Sequence, residues 1–193
     1  MTDSGKVSIH RVSSVFGDCA RDDHAFVQSR EYDTMSGTQT AADGARIDLS
    51  VGVGGFQRLI GYRLVRWEPD YAEVELDASD EHTNRSGLMH GGVHATLLDA
   101  AAGLSGVFCA VSGNVVRATT LSFSVQFIAA ARMGTMRAIG RRRGGGSRIF
   151  FAAGEIRDPA GALIASGEGS YRYIPGFEPP NGGRLDAEVA MGR

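Results

Sequence analysis

Asp99 is the single carboxylate within the nearly apolar run of residues 93–111, and its presence there needs a chemical explanation. A carboxylate on a buried helix is costly unless it is paired or hydrogen-bonded. Just upstream, His90-Gly91-Gly92 leads into the same helix, and Asn84 precedes it by a few residues. The first N–H groups of a helix lack partners within the helix and favour negative charge. Together these residues predict a small-ligand site with exposed backbone amides near the helix start.

Each of these residues also has a purely structural interpretation. The two glycines can simply form a tight loop-to-helix turn, and His90 can be an N-cap that orients the turn. Asp99 can be satisfied by hydrogen bonds across a dimer interface. His90 and His94 stand four residues apart, a spacing that metal ligands use, but the sequence offers no complete ligand set around them, so we predict no metal site.

Hydrophobic patterns predict one long helix among antiparallel strands. Over residues 71–77 the apolar and acidic residues alternate cleanly, which is typical of a half-buried strand. Over 119–127 the alternation places Leu121 and Phe127 on one face, and Thr120 and Ser122 on the other. We expect helices over 55–60 and 91–110 and strands over 62–67, 71–77, 119–127, 133–142, 148–157 and 162–173.

The long helix is apolar on nearly every side and rich in Ala and Gly, so it should be surrounded rather than covered on one face. The fold class is therefore α+β, with a curved antiparallel sheet of five to six strands around one central helix. We expect three regions: a polar and flexible extension over 1–50, the folded domain over 51–174, and a mobile Pro- and Gly-rich tail over 175–193.

The composition is that of a globular protein, with 42% hydrophobic residues, 22% charged residues and a formal net charge of -2. That charge gives no reason to expect binding to nucleic acid or to a membrane. The longest apolar run is interrupted by Asp99, and the N-terminus lacks a signal-peptide core, so we expect a cytoplasmic location.

The string His82-Thr83-Asn84-Arg85-Ser86-Gly87-Leu88-Met89-His90-Gly91-Gly92, followed by Leu97-Leu98-Asp99, resembles the signature of hotdog-fold acyl-CoA thioesterases. The similarity is to the PaaI-like branch, which is related to the 4-hydroxybenzoyl-CoA thioesterases, and it covers about residues 51–174. The resemblance implies a hotdog fold, a homodimer or a dimer of dimers with active sites at the subunit interface, and hydrolysis of an aryl-CoA or a medium- or long-chain acyl-CoA without a cofactor.

The resemblance also implies roles for particular residues. Asp99 would act as general base or as nucleophile, and the Gly91 amide would polarise the thioester carbonyl, with Gly92 beside it. His90 and Asn84 would be polar contacts near that carbonyl. The hydroxyl that helps to place water would be Thr120, with Ser122 as the alternative in a neighbouring register. Because the helix is central in a hotdog dimer, the resemblance also implies that Asp99 works opposite the Gly91 of the partner chain.

Six arginines and no acid occur between residues 132 and 154. The glycine-rich turn at 144–146 is expected to gather four of them at one end of a hairpin, where they suit the phosphate groups of CoA: Arg141, Arg142, Arg143 and Arg148. The alternative is a solvated strand end that protects the sheet edge.

Two other functions remain open from the sequence. One is a non-catalytic hotdog protein that binds or senses acyl-CoA. The other is a hotdog enoyl-CoA hydratase, although the His and acid spacing of such enzymes is not found here.

Overall fold

The computed structural model describes residues 38–40, 46–48 and 54–184 of the chain. Most of the extension predicted over 1–50, and the last nine residues of the predicted tail, lie outside the described residues. Strands β1 (Thr38–Thr40) and β2 (Arg46–Asp48) form a small antiparallel pair. No helix in the described part of the chain is long and apolar enough to span a membrane.

One antiparallel sheet of six strands forms the body of the domain. Its strands are β3 (Arg63–Glu68), β4 (Tyr71–Ala78), β6 (Ala118–Phe127), β7 (Gly134–Gly145), β8 (Ile149–Arg157) and β9 (Leu163–Tyr173). Their order across the sheet is β3-β4-β7-β8-β9-β6. Two helices accompany it: α1 (Gly55–Ile60) and the long α2 (Gly91–Ser105). The predicted α+β class, the number of strands and the single long helix are confirmed.

Helix α2 lies against the inner face of this sheet, packed mainly over β7, β8 and β4. Leu97, Leu98 and Ala101 on the helix have no exposed surface, and they meet the inward side chains of β4 such as Val74. Gly140 of β7 allows the closest approach, because a Cβ there would collide with the backbone carbonyl of Ala101. The helix therefore sits directly on the sheet backbone at this crossing.

Helix α2 is shorter than the sequence predicts: it ends at Ser105, although the apolar pattern continues to residue 110. Side chains of the sheet donate hydrogen bonds to the carbonyls at the end of the helix. Trp67 Nε1 donates to Leu104 O at 2.8 Å, and the Tyr173 hydroxyl donates to Gly106 O at 3.1 Å. Any side chain at Gly106 would also collide with the ring of Phe150. Tertiary packing, rather than a loss of apolar residues, thus ends the helix.

The segment after Ile174 is packed against the domain as far as Arg184, instead of forming a tail from residue 175. Phe177 is buried, its carbonyl accepts from Arg117 N at 3.1 Å, and β10 (Gly183–Arg184) pairs with β5 (Asn114–Val115). One apolar side chain in a Pro- and Gly-rich segment was too weak a signal to predict this.

Strand β6 contains a bulge that changes which residues face the helix. Thr120 is paired with the inward residue Tyr171, whereas Ser122 is paired with the outward residue Ser170, with Leu121 between them. The simple alternation predicted for 119–127 is therefore wrong at Thr120, which faces α2. Beyond the bulge the alternation holds, and Phe123 faces inward over Gly167 and Gly169 of β9.

Candidate active site

The first turn of α2 has one backbone amide without a partner among the described residues. His90 is the N-cap, and its Nδ1 accepts from the N–H of Gly92 at 2.9 Å. The N–H of Val93 donates to the carbonyl of His90 at 2.9 Å. Gly91 N–H makes no hydrogen bond within the part of the chain that the structure describes. The structure thus distinguishes Gly91 from Gly92, whose amide is already used.

The loop before the helix is held by its own backbone and by Asn84. The Asn84 side-chain oxygen accepts from Ser86 N at 2.9 Å and from Leu88 N at 3.3 Å, which forms a tight polar turn. His90 N donates to His82 O at 2.8 Å and closes the loop. His90 is therefore the N-cap that its structural interpretation predicts, and the Asn84 turn lies in the loop before it.

An aromatic side chain from the end of β6 packs beside Gly91. A Cβ at Gly91 would lie 3.2 Å from the ring of Phe127, and Phe127 is 60% exposed. A side chain at this position would need the Phe127 ring to shift by only a few tenths of an ångström. Phe127 thus contacts the start of α2 and reaches the surface of the subunit.

Asp99 lies on the half-open face of α2 and receives two hydroxyl groups from the sheet. Thr120 Oγ1 donates to Asp99 Oδ1 at 2.9 Å, and the hydroxyl of Tyr171 donates to the same oxygen at 3.3 Å. The β6 bulge makes this arrangement possible, because it turns Thr120 toward the helix. Of the two hydroxyls left open by the sequence, the structure brings Thr120 to Asp99 and leaves Ser122 on the outer face.

The charge of Asp99 also affects the two tyrosines near it. Burial and then the Asp99 carboxylate raise the pKa of Tyr171 well above its ordinary value, and both effects raise the pKa of Tyr62 as well. Both phenols therefore keep their protons at neutral pH. Tyr171 is available as a hydrogen-bond donor to the carboxylate over the whole physiological range.

Within one chain, the Gly91 amide and the Asp99 carboxylate lie far apart. Eight residues separate them, and a helix rises about 1.5 Å per residue, which gives about 12 Å along the axis. A thioester carbonyl and the water that attacks it must lie within about 3–3.5 Å of each other. One chain therefore does not bring the two groups to the same carbonyl.

The four arginines of the β7–β8 hairpin do not form one cluster. Arg141 and Arg143 line a groove of about 410 Å³ on the outer face of the sheet, and the Arg141 guanidinium also stacks on the ring of Tyr71 at 4.8 Å. Arg142 faces the other way and pairs with Asp70 at 3.3 Å. Arg148 is exposed in the turn between the strands. Strand alternation thus separates residues that the glycine turn was expected to gather.

His94 is the one buried imidazole in the described part of the chain, and it was considered in the sequence only for its spacing from His90. It is 4% exposed, and its Nε2 has no hydrogen-bond partner among the described residues. Its ring lies 6.1 Å from that of Phe127. Burial and then the neighbouring His90 lower its pKa, so the ring is neutral at pH 7. No group of three His, Cys, Asp or Glu side chains within the described residues could hold a metal ion.

Two site residues, Tyr171 and Phe127, were not predicted from the sequence. Tyr171 belongs to a correctly predicted strand, but only its register opposite Thr120 brings it to Asp99. Phe127 was predicted on the same face of its strand as Leu121, with no signal that its ring would reach Gly91. In both cases the missing information was the pairing of distant segments.

Comparison with known proteins gives the same architecture. Residues 86–165 match the family model described as the thioesterase superfamily. A conserved protein from Pseudomonas aeruginosa is 26% identical, with 63% of this chain and 94% of that chain covered and a TM-score of 0.56. A Haemophilus influenzae thioesterase is 19% identical (66% and 88% covered, TM-score 0.59). The E. coli PaaI protein of the phenylacetic acid degradation operon is also 19% identical (63% and 85% covered, TM-score 0.56). No curated protein matches the sequence.

The six-stranded sheet with α2 against its inner face thus has the hotdog fold, and residues 86–165 match the family model of the thioesterase superfamily. The sequence-based recognition of a PaaI-like hotdog thioesterase is confirmed at the level of fold and superfamily.

Proposed function

We propose that this protein is an acyl-CoA thioesterase that hydrolyses an aryl-CoA or a medium- or long-chain acyl-CoA to the free acid and CoA. The single observation that carries the proposal is that one helix holds both a backbone amide without a partner among the described residues, at Gly91, and a carboxylate that accepts hydroxyl hydrogen bonds, at Asp99. The match of residues 86–165 to the thioesterase superfamily model supports a thioester as the substrate.

The two groups supply the two needs of thioester hydrolysis. The carbonyl oxygen becomes negatively charged as water adds, and the Gly91 N–H at the positive end of the helix stabilises that charge. Asp99 takes a proton from the attacking water, or attacks the carbonyl carbon itself to give an anhydride that water then opens. In either route the C–S bond breaks, and the CoA thiolate takes up a proton as it leaves. In the second route water then breaks the C–O bond of the anhydride, which releases the acid and restores the Asp99 carboxylate.

Strand β6 supports a homodimer in which each site is shared between two chains. It is an edge strand of ten residues with Leu121, Phe127 and the following Ile128 exposed, which is an arrangement that favours pairing with another strand. Asp99 contacts Thr120 near one end of β6, and Gly91 contacts Phe127 at the other end. Antiparallel pairing of β6 with its copy brings the Thr120 end of one chain to the Phe127 end of the other.

That pairing places Asp99 of one chain near the Gly91 of the partner chain and overcomes the separation of about 12 Å within one chain. His90 and Asn84 then shape the mouth of the site, and the Gly92 amide stays in the helix cap. For the phosphate groups of CoA we expect contacts from the hairpin arginines. Arg143 and Arg148 make no ion pair among the described residues, whereas Arg142 already pairs with Asp70.

Thiol release from a panel of acyl-CoA substrates, followed with a chromogenic thiol reagent, tests the proposed function. The panel contains aryl, short, medium and long acyl groups. We expect turnover of at least one aryl, medium or long member, and a fall of about 10²–10⁴-fold in Asp99→Asn because the general base is lost. Asp158→Asn is the matched control, since Asp158 caps a remote β8–β9 turn.

Tight binding of acyl-CoA without thiol release would favour an acyl-CoA sensor instead. Loss of the enoyl absorbance of a 2-enoyl-CoA would favour the hydratase. Undiminished turnover in Asp99→Asn would contradict the role given to Asp99.

A further inference from the structure

We propose that Tyr171 is a positioning residue for Asp99, and that Asp99 Oδ2 is the oxygen that meets the attacking water or the carbonyl carbon. This inference rests on the proposed thioesterase function and assigns a role to a side chain for which the sequence pattern gave none. The observation behind it is that both hydroxyl donors, Thr120 and Tyr171, reach the same carboxylate oxygen, Oδ1.

The two donors come from neighbouring strands at one register position. Thr120 of β6 is paired with Tyr171 of β9, so their side chains project together toward α2. With both hydrogen bonds on Oδ1, the carboxylate is fixed in rotation and Oδ2 is directed away from the sheet. Oδ2 has no hydrogen-bond partner in the part of the chain that the structure describes. A carboxylate held in this way spends less time in orientations that do not react.

Tyr171 is itself held firmly, as a positioning residue must be. It is 1% exposed, and its ring is stacked on Phe150 with 4.8 Å between the centroids and 10° between the planes. The ring of Phe123 meets it edge-on at 6.4 Å. A side chain packed on two faces loses little entropy when its hydroxyl forms one more hydrogen bond.

The fold provides a matched control two residues along the same strand. Tyr173 is also inward-facing and buried at 3% exposure, and it also packs on Phe150, at 4.9 Å. Its hydroxyl donates to Gly106 O at the end of α2, not to Asp99. Tyr171→Phe and Tyr173→Phe therefore each remove one buried hydroxyl from β9 and keep the ring that packs on Phe150. Only Tyr171→Phe removes a contact with Asp99.

Steady-state kinetics on the best acyl-CoA substrate, together with thermal melts, test the inference. We expect Tyr171→Phe to lower kcat about 5- to 30-fold with KM changed by less than about twofold, because one hydrogen bond to a charged group is lost. Tyr173→Phe should keep the wild-type kcat, although its melting temperature should fall about as much as that of Tyr171→Phe. In the Asp99→Asn background, Tyr171→Phe should cause no further loss of the residual rate.

The pH profile gives a readout that a purely structural role would not change. The described groups that face the Asp99 carboxylate are Thr120 from β6, Tyr171 from β9 and Tyr62 before β3, and none of them changes charge near neutral pH. Because Tyr171 donates to the Asp99 carboxylate and Tyr173 does not, the pH profile of kcat should change in Tyr171→Phe and match the wild-type profile in Tyr173→Phe.

Equal kcat values for Tyr171→Phe and wild type, or equal losses in the two Tyr→Phe variants, would overturn the positioning role. Failure of the proposed function gives a different result, because Asp99→Asn would then retain full activity or no panel member would be hydrolysed. If Tyr171→Phe did not fold, Thr120→Val and Thr120→Ser would test the same arrangement from β6. The Ser variant keeps the donor and should retain most of the rate that the Val variant loses.

Discussion

The start of α2 shows how the backbone geometry of a few residues selects one amide from several. His90 uses its side chain on Gly92 N and its carbonyl on Val93 N, and Gly91 N is left without a partner among the described residues. His90 has extended backbone angles, φ -68° and ψ 137°, which are compatible with any residue at position 91, proline included. This geometry permits a substitution that removes a single N–H.

Gly91→Pro should lower kcat about 10²–10³-fold while the protein remains folded. Proline is well tolerated at the first position of a helix, and the change deletes the one donor proposed for the oxyanion. Gly91→Ala is the control, because it adds the same Cβ beside Phe127 but keeps the N–H. Steady-state kinetics and circular dichroism of both variants check the prediction, and equal activities in the two would contradict it.

His94 is a second residue with a measurable consequence, in this case for stability against pH. Its pKa is lowered from an ordinary value of 6.5 by burial and then by His90, so the unfolded chain binds the proton more readily than the folded chain. Stability from this group is therefore fully present above about pH 6.5 and is lost as the pH falls toward the folded-state value.

The melting temperature of the wild type should accordingly fall as the pH is lowered from 7.5 through 6.5. In His94→Leu this part of the profile should be flatter. The variant should also be more stable at pH 7, by about 1–3 kcal/mol, because it no longer buries an unpartnered Nε2. Differential scanning calorimetry across this pH range measures both effects, and parallel profiles for the two proteins would contradict the assignment to His94.

At the scale of elements, the contact between α2 and the sheet positions both halves of the site. Gly140 lets β7 touch the backbone of Ala101, which fixes the depth of the helix in the curved sheet. The β6 bulge then brings Thr120 to Asp99. Small residues and one extra strand residue thus determine a geometry that the sequence motif of the candidate site does not itself encode.

Gly140→Ala should destabilise the protein by more than about 2 kcal/mol, because the new Cβ meets rigid backbone that cannot move aside. Gly146→Ala is the matched control in the adjoining turn, where a Cβ has no neighbour within 4 Å. Urea denaturation of the two variants measures the difference. Similar midpoints would show that the helix does not sit on the sheet in this way.

At the scale of the whole molecule, activity should depend on pairing two chains. We expect inactive Asp99→Ala and Gly91→Pro proteins to regain about a quarter of wild-type activity when their subunits are exchanged. Random exchange makes about half of the dimers mixed, and each mixed dimer contains one intact site.

Subunit exchange after mild denaturation, followed by thiol-release assays, makes this measurement. Sites contained within single chains would give no recovery at all. Leu121→Lys on the exposed edge of β6 should shift the protein toward monomers in size-exclusion chromatography and lower activity in parallel. A stable, active monomer would contradict the shared site.

The sequence by itself determined the periodic features of this protein. The apolar pattern of α2 and the alternation in β4 were sufficient to predict the α+β class, and the resemblance carried by His90-Gly91-Gly92 with Asp99 downstream implied the hotdog fold. These features are local, since each depends on residues within a few turns or one strand.

Only the tertiary structure decided what depends on long-range pairing. The register between β6 and β9 brought Thr120 and Tyr171 to one oxygen of Asp99, and the two faces of β7 separated Arg141 and Arg143 from Arg142. Packing against Trp67 and Phe150 ended α2 five residues before its apolar pattern does. The physical reason is that a one-residue bulge or a single close contact reverses which face a side chain occupies, and one stretch of sequence cannot specify its partner strand.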